Sequence, residues 1–337
     1  MSTALGRRPA AAGRLAAVRA APLAVTLGLA LLALAGLCLG TPFVGPQDLL
    51  AAPDSIAHVV VWELRVPRVL IGMMGGAAIG TAGLLLQESL RNPLAVPEMI
   101  GVSTGAALAV SVCVVWALPV PFAVYPLVGL LGAAFGGFVT LVVARTARTA
   151  GGVLLVGAAV STAIQALLLA VMATADRLQY DMLFRYLVGS LSGLMWEQTG
   201  RVLPWFAAAV PLVALCVPAL GLLRLGDDAA AALGSRVDRA RLGVLAVSAL
   251  LIGCVTGPCG PIAWVGFLAP VLARRLRPRA DARVWLPWSA ALGALVTLAA
   301  DLAARLAFAP VETPLGAWTA LAGVLAGAVL LRRQTSA

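Results

Sequence analysis

Long apolar runs separated by short polar breaks occupy almost the whole chain. A helix that crosses a bilayer needs about 20 mostly apolar residues, and ten runs reach or approach that length. They cover residues 22–40, 68–88, 98–118, 122–144, 151–173, 201–223, 241–257, 260–275, 285–307 and 315–331. The seventh and eighth are short and separated only by Gly-Pro-Cys-Gly, so that boundary is weak. The pattern predicts an all-α polytopic membrane protein with about ten transmembrane helices.

The composition excludes a soluble fold. Of the 337 residues, 61% are hydrophobic and 11% are charged, and the mean hydropathy is +1.00. Soluble domains carry about 25% charged residues, because they must cover a surface that faces water. In a soluble protein, the net charge of +10 would suggest a nucleic-acid partner. Here we expect none, since basic residues of membrane proteins collect in cytoplasmic loops.

The 24 basic residues are all arginines, and their distribution predicts the orientation of the chain. With both termini in the cytoplasm, 18 arginines lie on the cytoplasmic side and six on the outer side, as positive-inside topology requires. The six are Arg65, Arg68, Arg177, Arg185, Arg201 and Arg305. Residues 1–21 are then an Arg-rich cytoplasmic tail, 22–331 a single transmembrane domain and 332–337 a second tail. The first run resembles a signal peptide, but many spans follow, so we expect an uncleaved membrane helix.

Groups that carry catalysis or bind metals are scarce. His58 is the one histidine, and the five cysteines lie in or beside apolar runs without a Cys-x-x-Cys spacing. We therefore expect no metal site, no cofactor and no disulfide framework. A membrane enzyme would need clustered histidines or carboxylates. An ion-gradient-driven secondary transporter of a small organic solute would favour acids in mid-span, to which Asp301 comes closest. Both classes remain alternatives.

Residues 91–108, "RNPLAVPEMIGVSTGAAL", interrupt the apolar pattern between the second and third runs. Pro93 and Pro97 prevent a continuous helix through the break. Glu98 then begins the third run, where a negative charge suits the positive end of a helix dipole. The small residues that follow favour close approach of a neighbouring helix. From the residues alone, this segment is a cytoplasmic turn that closes a membrane hairpin.

Residues 225–242 contain a polar segment that is too short to span the membrane. Asp227 and Asp228 precede an Ala-rich stretch, and Gly234 follows it. Acids at the start and a glycine just past the end predict a helix of about two turns. The residues themselves are equally consistent with an ordinary loop helix.

Two further sets of polar residues have more than one interpretation. Arg65, Arg68 and Arg305 near outer span ends would suit contacts with an acidic partner, but arginines also extend to lipid headgroups, and Asp301 could pair with Arg305 along a helix. In the fifth run, Gly157, Ser161 and Gln165 recur every four residues, with Thr162 beside them. Such a face would line a pathway or form hydrogen bonds between helices.

Five stretches, in order, resemble the FecCD family of permease subunits, which serve binding-protein-dependent importers of iron–siderophores, haem and cobalamin. They are "LRVPRVLIGMMGGAAIGTAGLLLQESLRNPLAVPEMIGVSTGAAL", "LVGSLSG", "LGDDAAAALGSRVDRARL", "GPIAWVGFLAPVLARRL" and "ETPLGAWTALAGV". The resemblance covers nearly the whole chain after residue 20. It implies ten helices per subunit, with a second permease, identical or homologous, around a central pathway. Cytoplasmic ABC ATPase subunits and an extracytoplasmic substrate-binding protein are the other expected partners, with membrane lipid around them.

The resemblance also assigns roles to residues. ATPase coupling falls to Gly226, Asp227, Asp228, Ala231, Leu233 and Gly234. Docking of the binding protein falls to Arg65, Arg68 and Arg305. Pathway and inner-gate positions are Thr149, Gly157, Ser161, Thr162 and Gln165. The structural motif residues are Arg91, Asn92, Pro93, Leu94, Gly101, Gly105, Gly260, Pro261, Gly266 and Pro270.

Energy for transport is expected from the ATPase partner. The chain has no lysine and therefore no Gly-Lys-Ser/Thr loop of the usual ATP site. Val271 departs from the family pattern, which often has His at this place, and the choice between homodimer and heterodimer stays open.

Overall fold

A computed structural model describes residues 9–121, 124–144 and 150–334 of the chain. The helices in this part are α1 (Pro9–Cys38), α2 (Ile56–His58), α3 (Val66–Ser89), α4 (Val102–Val115), α5 (Tyr125–Ala144), α6 (Ala150–Met172), α7 (Arg177–Leu187), α8 (Trp196–Leu223), α9 (Asp227–Ala232), α10 (Val237–Cys259), α11 (Val265–Leu276), α12 (Ala282–Leu306) and α13 (Leu315–Gln334). A π-helical turn, Val59–Arg65, joins α2 to α3, and short 3-10 helices form at Pro46–Leu50 and Pro97–Ile100.

Each of the ten predicted runs coincides with a helix, so the prediction of an all-α polytopic membrane protein is confirmed. Within the described part, six helical segments are long and apolar enough to cross a membrane, and three further apolar helices are shorter. Two boundaries differ clearly from the sequence pattern. Helix α1 begins at Pro9, before residue 22, and the second span extends back to Ile56 through the π-helical turn.

Helix α3 lies at the centre of the bundle. In the apolar 18-residue window of the segment Ile56–Ser89, 78% of the residues are buried, whereas the corresponding share is 17% for the window of α1 and 22% for that of α8. Helix α12 packs most extensively against α3, and α10, α11 and α8 also contact it. A Cβ atom at Gly76 would collide with the backbone of Gly293, and one at Gly80 with the backbone oxygen of Ser289. Glycines therefore permit the two helix backbones to touch, as is common in membrane proteins.

Helices α4 and α11 are short because an irregular segment precedes each of them. The prediction that Glu98 begins the third membrane helix was wrong, since Glu98 lies in the 3-10 helix Pro97–Ile100 and α4 begins at Val102. Gly101 adopts φ 71° between Pro97–Ile100 and α4, and Trp264 adopts φ 68° immediately before α11. The two interruptions meet inside the protein, since Gly266 lies against the ring of Pro97 and against the backbone of Gly83. Irregular backbone at membrane depth is tolerated where protein surrounds it.

Helix α7 was not among the predicted elements. Its N-cap Asp176 accepts a hydrogen bond from the backbone of Gln179 at 2.8 Å, and the Gln179 side chain accepts one from the Asp176 backbone at 3.1 Å. This reciprocal pair is a capping box. The sequence signal was therefore present as Asp-x-x-Gln, but α7 is amphipathic and too polar to register as an apolar run.

Candidate functional site

Charged side chains gather in two clusters at opposite ends of α3. The Arg68 cluster consists of Arg65, Arg68, Asp301, Arg305 and Glu312. The Glu88 cluster consists of Gln87, Glu88, Arg224 and Arg274. At a rise of about 1.5 Å per residue, Arg68 and Glu88 are about 30 Å apart along the helix. This separation matches the thickness of a bilayer hydrocarbon core, which is also about 30 Å.

Two arginines of the Arg68 cluster bind the C-terminal end of α1. Arg65 donates hydrogen bonds to the carbonyl oxygens of Leu37 at 2.8 Å, Cys38 at 3.0 Å and Pro42. Arg305 donates to Gly36 at 2.8 Å and to Leu39 at 2.6 Å. The last carbonyls of a helix have no partner within the helix, and cations favour its negative end.

Burial distinguishes these two arginines from a free docking surface. Arg65 is 5% exposed and Arg305 is 6% exposed. Their hydrogen bonds fix the end of α1 against α3 and α12. In the structure of this single chain, both guanidinium groups therefore contact the protein itself.

Arg68 is the most accessible arginine of this cluster, and it pairs with two acids. It contacts Asp301 at 2.8 Å and Glu312 at 2.9 Å. The Asp301 side chain is 4% exposed, while that of Glu312 is 41% exposed and also accepts a hydrogen bond from Ser192 at 2.6 Å. Partial burial acts to raise the pKa of Glu312, but Ser192 and Arg68 outweigh it and lower that pKa. Glu312 is therefore ionised at neutral pH.

An open cavity of about 880 Å³ lies beside Glu312. Helix α7, the segment after it, the end of α10 and the loop before α13 form its walls. The lining residues include Asp181, Phe184, Tyr186, Ser190, Ser192 and Glu312. The Tyr186 hydroxyl donates to the carbonyl of Thr256 at 2.6 Å, so its position is fixed. The cavity combines aromatic, hydroxyl and carboxylate groups and opens at the Arg68 end of the bundle.

The Glu88 cluster joins four helices at the other end. Glu88 on α3 contacts Arg274 of α11 at 2.9 Å and Arg224, which follows α8, at 3.1 Å. Arg274 also donates to Gln87 at 2.6 Å. The Arg224 guanidinium carbon lies 4.6 Å from the ring centroid of Trp285 on α12, a cation–π distance. The cluster fixes the ends of these helices relative to one another.

Asp227, the first residue of α9, links this short helix to the bundle. Its carboxylate contacts Arg241 of α10 at 2.7 Å and lies 3.9 Å from Arg91, in the turn after α3. Arg241 also donates to the carbonyl of Ser89 at 3.3 Å. A displacement of α9 would therefore act on both α3 and α10 through one carboxylate.

The other predicted coupling residues give α9 a defined end and an exposed face. Gly226 adopts φ 104° and Gly234 adopts φ 81°. The N–H groups of Gly234 and Ser235 donate to Ala231 at 2.9 Å and Ala230 at 3.0 Å, which is a Schellman motif. Ala230 is fully buried. Asp228, Ala231 and Leu233 are exposed.

The residues of the predicted polar face of α6 fall into a buried pair and an exposed pair. Ser161 donates to the Glu98 carbonyl at 2.9 Å and accepts from the Gly101 N–H at 2.8 Å. Gly157 packs so closely on Met99 that a Cβ atom would meet its carbonyl oxygen. These two residues therefore hold the interruption before α4, whereas Thr162 and Gln165 are exposed. Thr149 lies outside the described residues.

The motif residues after α3 and before α11 shape the two interruptions. Asn92 accepts a hydrogen bond from the Leu94 N–H at 2.9 Å, Arg91 adopts φ 48°, and Leu94 is 63% exposed. The remaining motif residues contact neighbouring segments or line a cavity, namely Pro93 (cavity of the Glu88 cluster), Gly101 and Gly105 (helix α5), Gly260 (Tyr186), Pro261 (Gly189), Gly266 (Pro97) and Pro270 (buried in α11).

Sequence reasoning missed several residues of these clusters. Glu88 and Arg274 lie in stretches that resemble the family but were given no role. Arg224 and the neighbouring Trp285 carry no local pattern, and more than 130 residues separate Glu88 from Arg224. Glu312 was noted only as part of a family motif, and its contact with Arg68 spans 244 positions. Only the packing of distant helices brings these side chains together.

Comparison with known proteins agrees with this architecture. The model of the FecCD transport family matches residues 28–333. The chain is 31% identical over 316 residues to the Fe(3+)-citrate import system permease protein YfmE of Bacillus subtilis, covering 88% of this chain and 92% of that protein. It is 36% identical over 279 residues to the vitamin B12 import system permease protein BtuC of Vibrio cholerae, covering 81% and 82% respectively.

A solved structure shares the fold. It is described as an inward-facing conformation of a metal-chelate type ABC transporter, with a TM-score of 0.79 and 26% identity, covering 92% of this chain and 97% of that one. The helical bundle and these relatives define a multi-pass membrane permease of an ABC importer. The chain belongs to the FecCD transport family, as the sequence motifs predicted.

Proposed function

We propose that this chain forms, with a second permease subunit, the translocation pathway for an iron–siderophore or a related metal chelate such as haem or cobalamin. The observation that carries the proposal is the family match over residues 28–333. Relatives of similar length are named for iron citrate, enterobactin, hemin and vitamin B12. These cargoes are bulky chelates, so a wide passage that binds them weakly is expected.

The second permease subunit covers the open face of α6. Thr162 and Gln165 lie on this face, together with the exposed apolar side chains Leu155 and Leu169. Polar side chains in membrane helices favour a protein interior or a water-filled path. The proposed pathway therefore runs between the α6 faces of the two subunits, with Thr162 and Gln165 in contact with the passage.

A substrate-binding protein delivers the chelate at the Arg68 end of the bundle. Among the three candidate docking arginines, Arg68 is the one with an exposed counter-ion, Glu312. This carboxylate occupies the position that an acid of the binding protein would take. Docking then exchanges Glu312 for the partner's carboxylate, while Asp301 keeps its contact with Arg68. The 880 Å³ cavity beside Glu312 would receive the released chelate.

A separate ATPase drives transport through α9. The exposed residues Asp228, Ala231 and Leu233 present the contact surface, and Asp227 transmits movement to α3 and α10. An ion-gradient-driven transporter is less well supported, because Asp301, which the sequence predicted to be closest to mid-span, lies at the Arg68 end of the bundle and is paired with Arg68 at 2.8 Å. A carboxylate that carries protons or sodium would need to be free to exchange its partner.

Uptake by living cells tests the transport function directly. A strain in which this gene is deleted should lose uptake of a radiolabelled ferric chelate, haem or cobalamin, and expression of the intact chain should restore it. A panel of ferric siderophores, ferric citrate, hemin and cobalamin identifies the cargo. Retention of wild-type uptake of every member of the panel by the deletion strain would refute the proposal.

Charge reversal of Arg68 tests docking. Arg68→Glu should weaken binding of the purified substrate-binding protein by about tenfold or more, because opposite charges orient the encounter and like charges oppose it. Arg201→Glu is the matched control, since Arg201 is also predicted to be outer but contacts only Glu197 among the described ion pairs. Surface plasmon resonance on the permease complex in nanodiscs gives both affinities. Equal affinities for the two variants would remove the docking role.

A further inference from the structure

Another cavity, of about 460 Å³, lies where α8 ends and α12 begins. Its lining residues are Val217, Pro218, Gly221, Leu222, Arg224, Asp281, Ala282 and Arg283. The α8 wall is apolar, and two arginines form the rim. The cavity therefore has an apolar part, which suits an acyl chain, and a cationic part, which suits the phosphate of a phospholipid.

The rim of this cavity is suited to an anion. Arg283 is exposed and makes no ion pair with the described residues. Arg224 is 35% exposed and shares Glu88 with Arg274. Asp281 adds one negative charge, but its carboxylate caps α12 by accepting the Val284 N–H at 3.3 Å.

The apolar wall continues along the exposed side of α8. Leu215 lies three residues before Pro218 and seven before Leu222, so these residues share one face of the helix. Leu215 is 74% exposed. An acyl chain that leaves the cavity would lie along this face in the bilayer core.

The rim lies at the Glu88 end of the bundle, because Arg224 pairs with Glu88 at 3.1 Å. Trp285, which is buried, and Trp288, which is half-buried, lie in the first turns of α12 and stack with Arg224 at 4.6 Å and with Arg277 at 4.8 Å, respectively. These contacts hold both arginines at this end of the bundle. Basic pockets between membrane helices on the cytoplasmic side bind acidic lipid headgroups.

We propose that this cavity binds an acidic phospholipid, with its phosphate between Arg224 and Arg283 and one acyl chain along α8. The proposal does not depend on the identity of the transported chelate. Because Arg224 lies three residues before Asp227, the bound lipid holds the end of α8 next to the short helix α9.

Native mass spectrometry of the purified full-length permease tests the site. Phosphatidylglycerol is titrated against phosphatidylcholine with the same acyl chains, and wild-type protein should bind the acidic lipid preferentially. Arg283→Glu should lower the affinity for phosphatidylglycerol by about tenfold or more, because a headgroup-level cation is replaced by an anion. Arg239→Glu is the matched control, since Arg239 is also exposed and does not line this cavity; it should retain wild-type affinity.

Four outcomes would overturn the proposal. Unchanged phosphatidylglycerol affinity in Arg283→Glu would remove the site, and an equal loss in Arg239→Glu would reduce the effect to general surface charge. Complete displacement of the lipid by soluble glycerol phosphate would indicate a site for a free phosphate. A variant that keeps its lipid affinity but loses the ATPase subunit would identify a protein contact instead. Arg283 is exposed, and an unchanged Tm in detergent would establish that the variant is folded.

Discussion

Replacement of Leu233 by Asp is expected to abolish transport. Leu233 is 64% exposed at the end of α9, beside the exposed Ala231. If this face packs in a groove of the ATPase, a buried carboxylate without a partner opposes the contact. Loss of a central interface contact costs about 2 kcal/mol or more, which is about 30-fold in affinity. ATPase co-purification and uptake of the labelled cargo measure the effect.

Leu233→Met is the matched control, because it keeps an apolar side chain of similar volume. It should retain ATPase binding and uptake. Removal of residues 227–234 should also abolish transport while the protein still inserts, since Ala230 is the fully buried residue of α9. Normal ATPase binding and uptake in either Leu233→Asp or the deletion would refute the coupling role.

Replacement of Arg65 by Ala is expected to destabilise the permease by several kcal/mol. Arg65 donates hydrogen bonds to the carbonyls of Leu37, Cys38 and Pro42, and bonds to a charged group contribute about 1.5–3 kcal/mol each. Without the guanidinium, these carbonyls at the end of α1 lose their donors. Thermal unfolding in detergent measures the change as a lower Tm.

Arg201→Ala is the control for this change, because Arg201 forms an exposed pair with Glu197 on one helix and such pairs contribute about 0–1 kcal/mol. A Tm of Arg65→Ala equal to that of Arg201→Ala would contradict the capping role. If Arg65→Ala also lost the binding protein at an unchanged Tm, docking would be its main role. The same comparison applies to Arg305, which caps Gly36 and Leu39.

The proposed docking role of the Arg68 cluster is compatible with its contacts to α1. Arg65 and Arg305 hold the end of α1, while Arg68 holds Asp301 on one side and Glu312 on the other. In the docking that we propose, an acid of the binding protein would reach Arg68 only after Glu312 moves away. Docking would then affect Arg65 and Arg305 through a shift of α1 and not by direct contact with the docking protein.

Several predictions from the sequence depended on local patterns, and these patterns were sufficient to predict the helices of the fold. Apolar runs of about 20 residues are helices in a bilayer because every backbone N–H and C=O must be satisfied within the segment. Acids at positions 227 and 228 and Gly234 were enough to indicate the short helix α9. Helix α7 required attention to the Asp176–Gln179 capping box, because its amphipathic face gives no long apolar run.

The polar face of α6 shows the limit of a local pattern. The spacing of Gly157, Ser161 and Gln165 placed them together, although four residues turn a helix by about 400° and not 360°. That drift, with the position of the segment before α4, buries Ser161 and leaves Gln165 exposed. Which side of a helix is covered depends on its neighbours.

The sequence by itself determined that the chain is an all-helical membrane protein, because hydrophobic length acts segment by segment. Its motifs also determined the family. Only the tertiary structure decided which charges are free and which are paired. Arg65 and Arg305 cap α1, Glu312 pairs with Arg68, and Glu88 pairs with both Arg224 and Arg274. These pairs form between residues far apart in the chain. Their partners are therefore chosen by helix packing and by the need to satisfy buried charges, which no local pattern records.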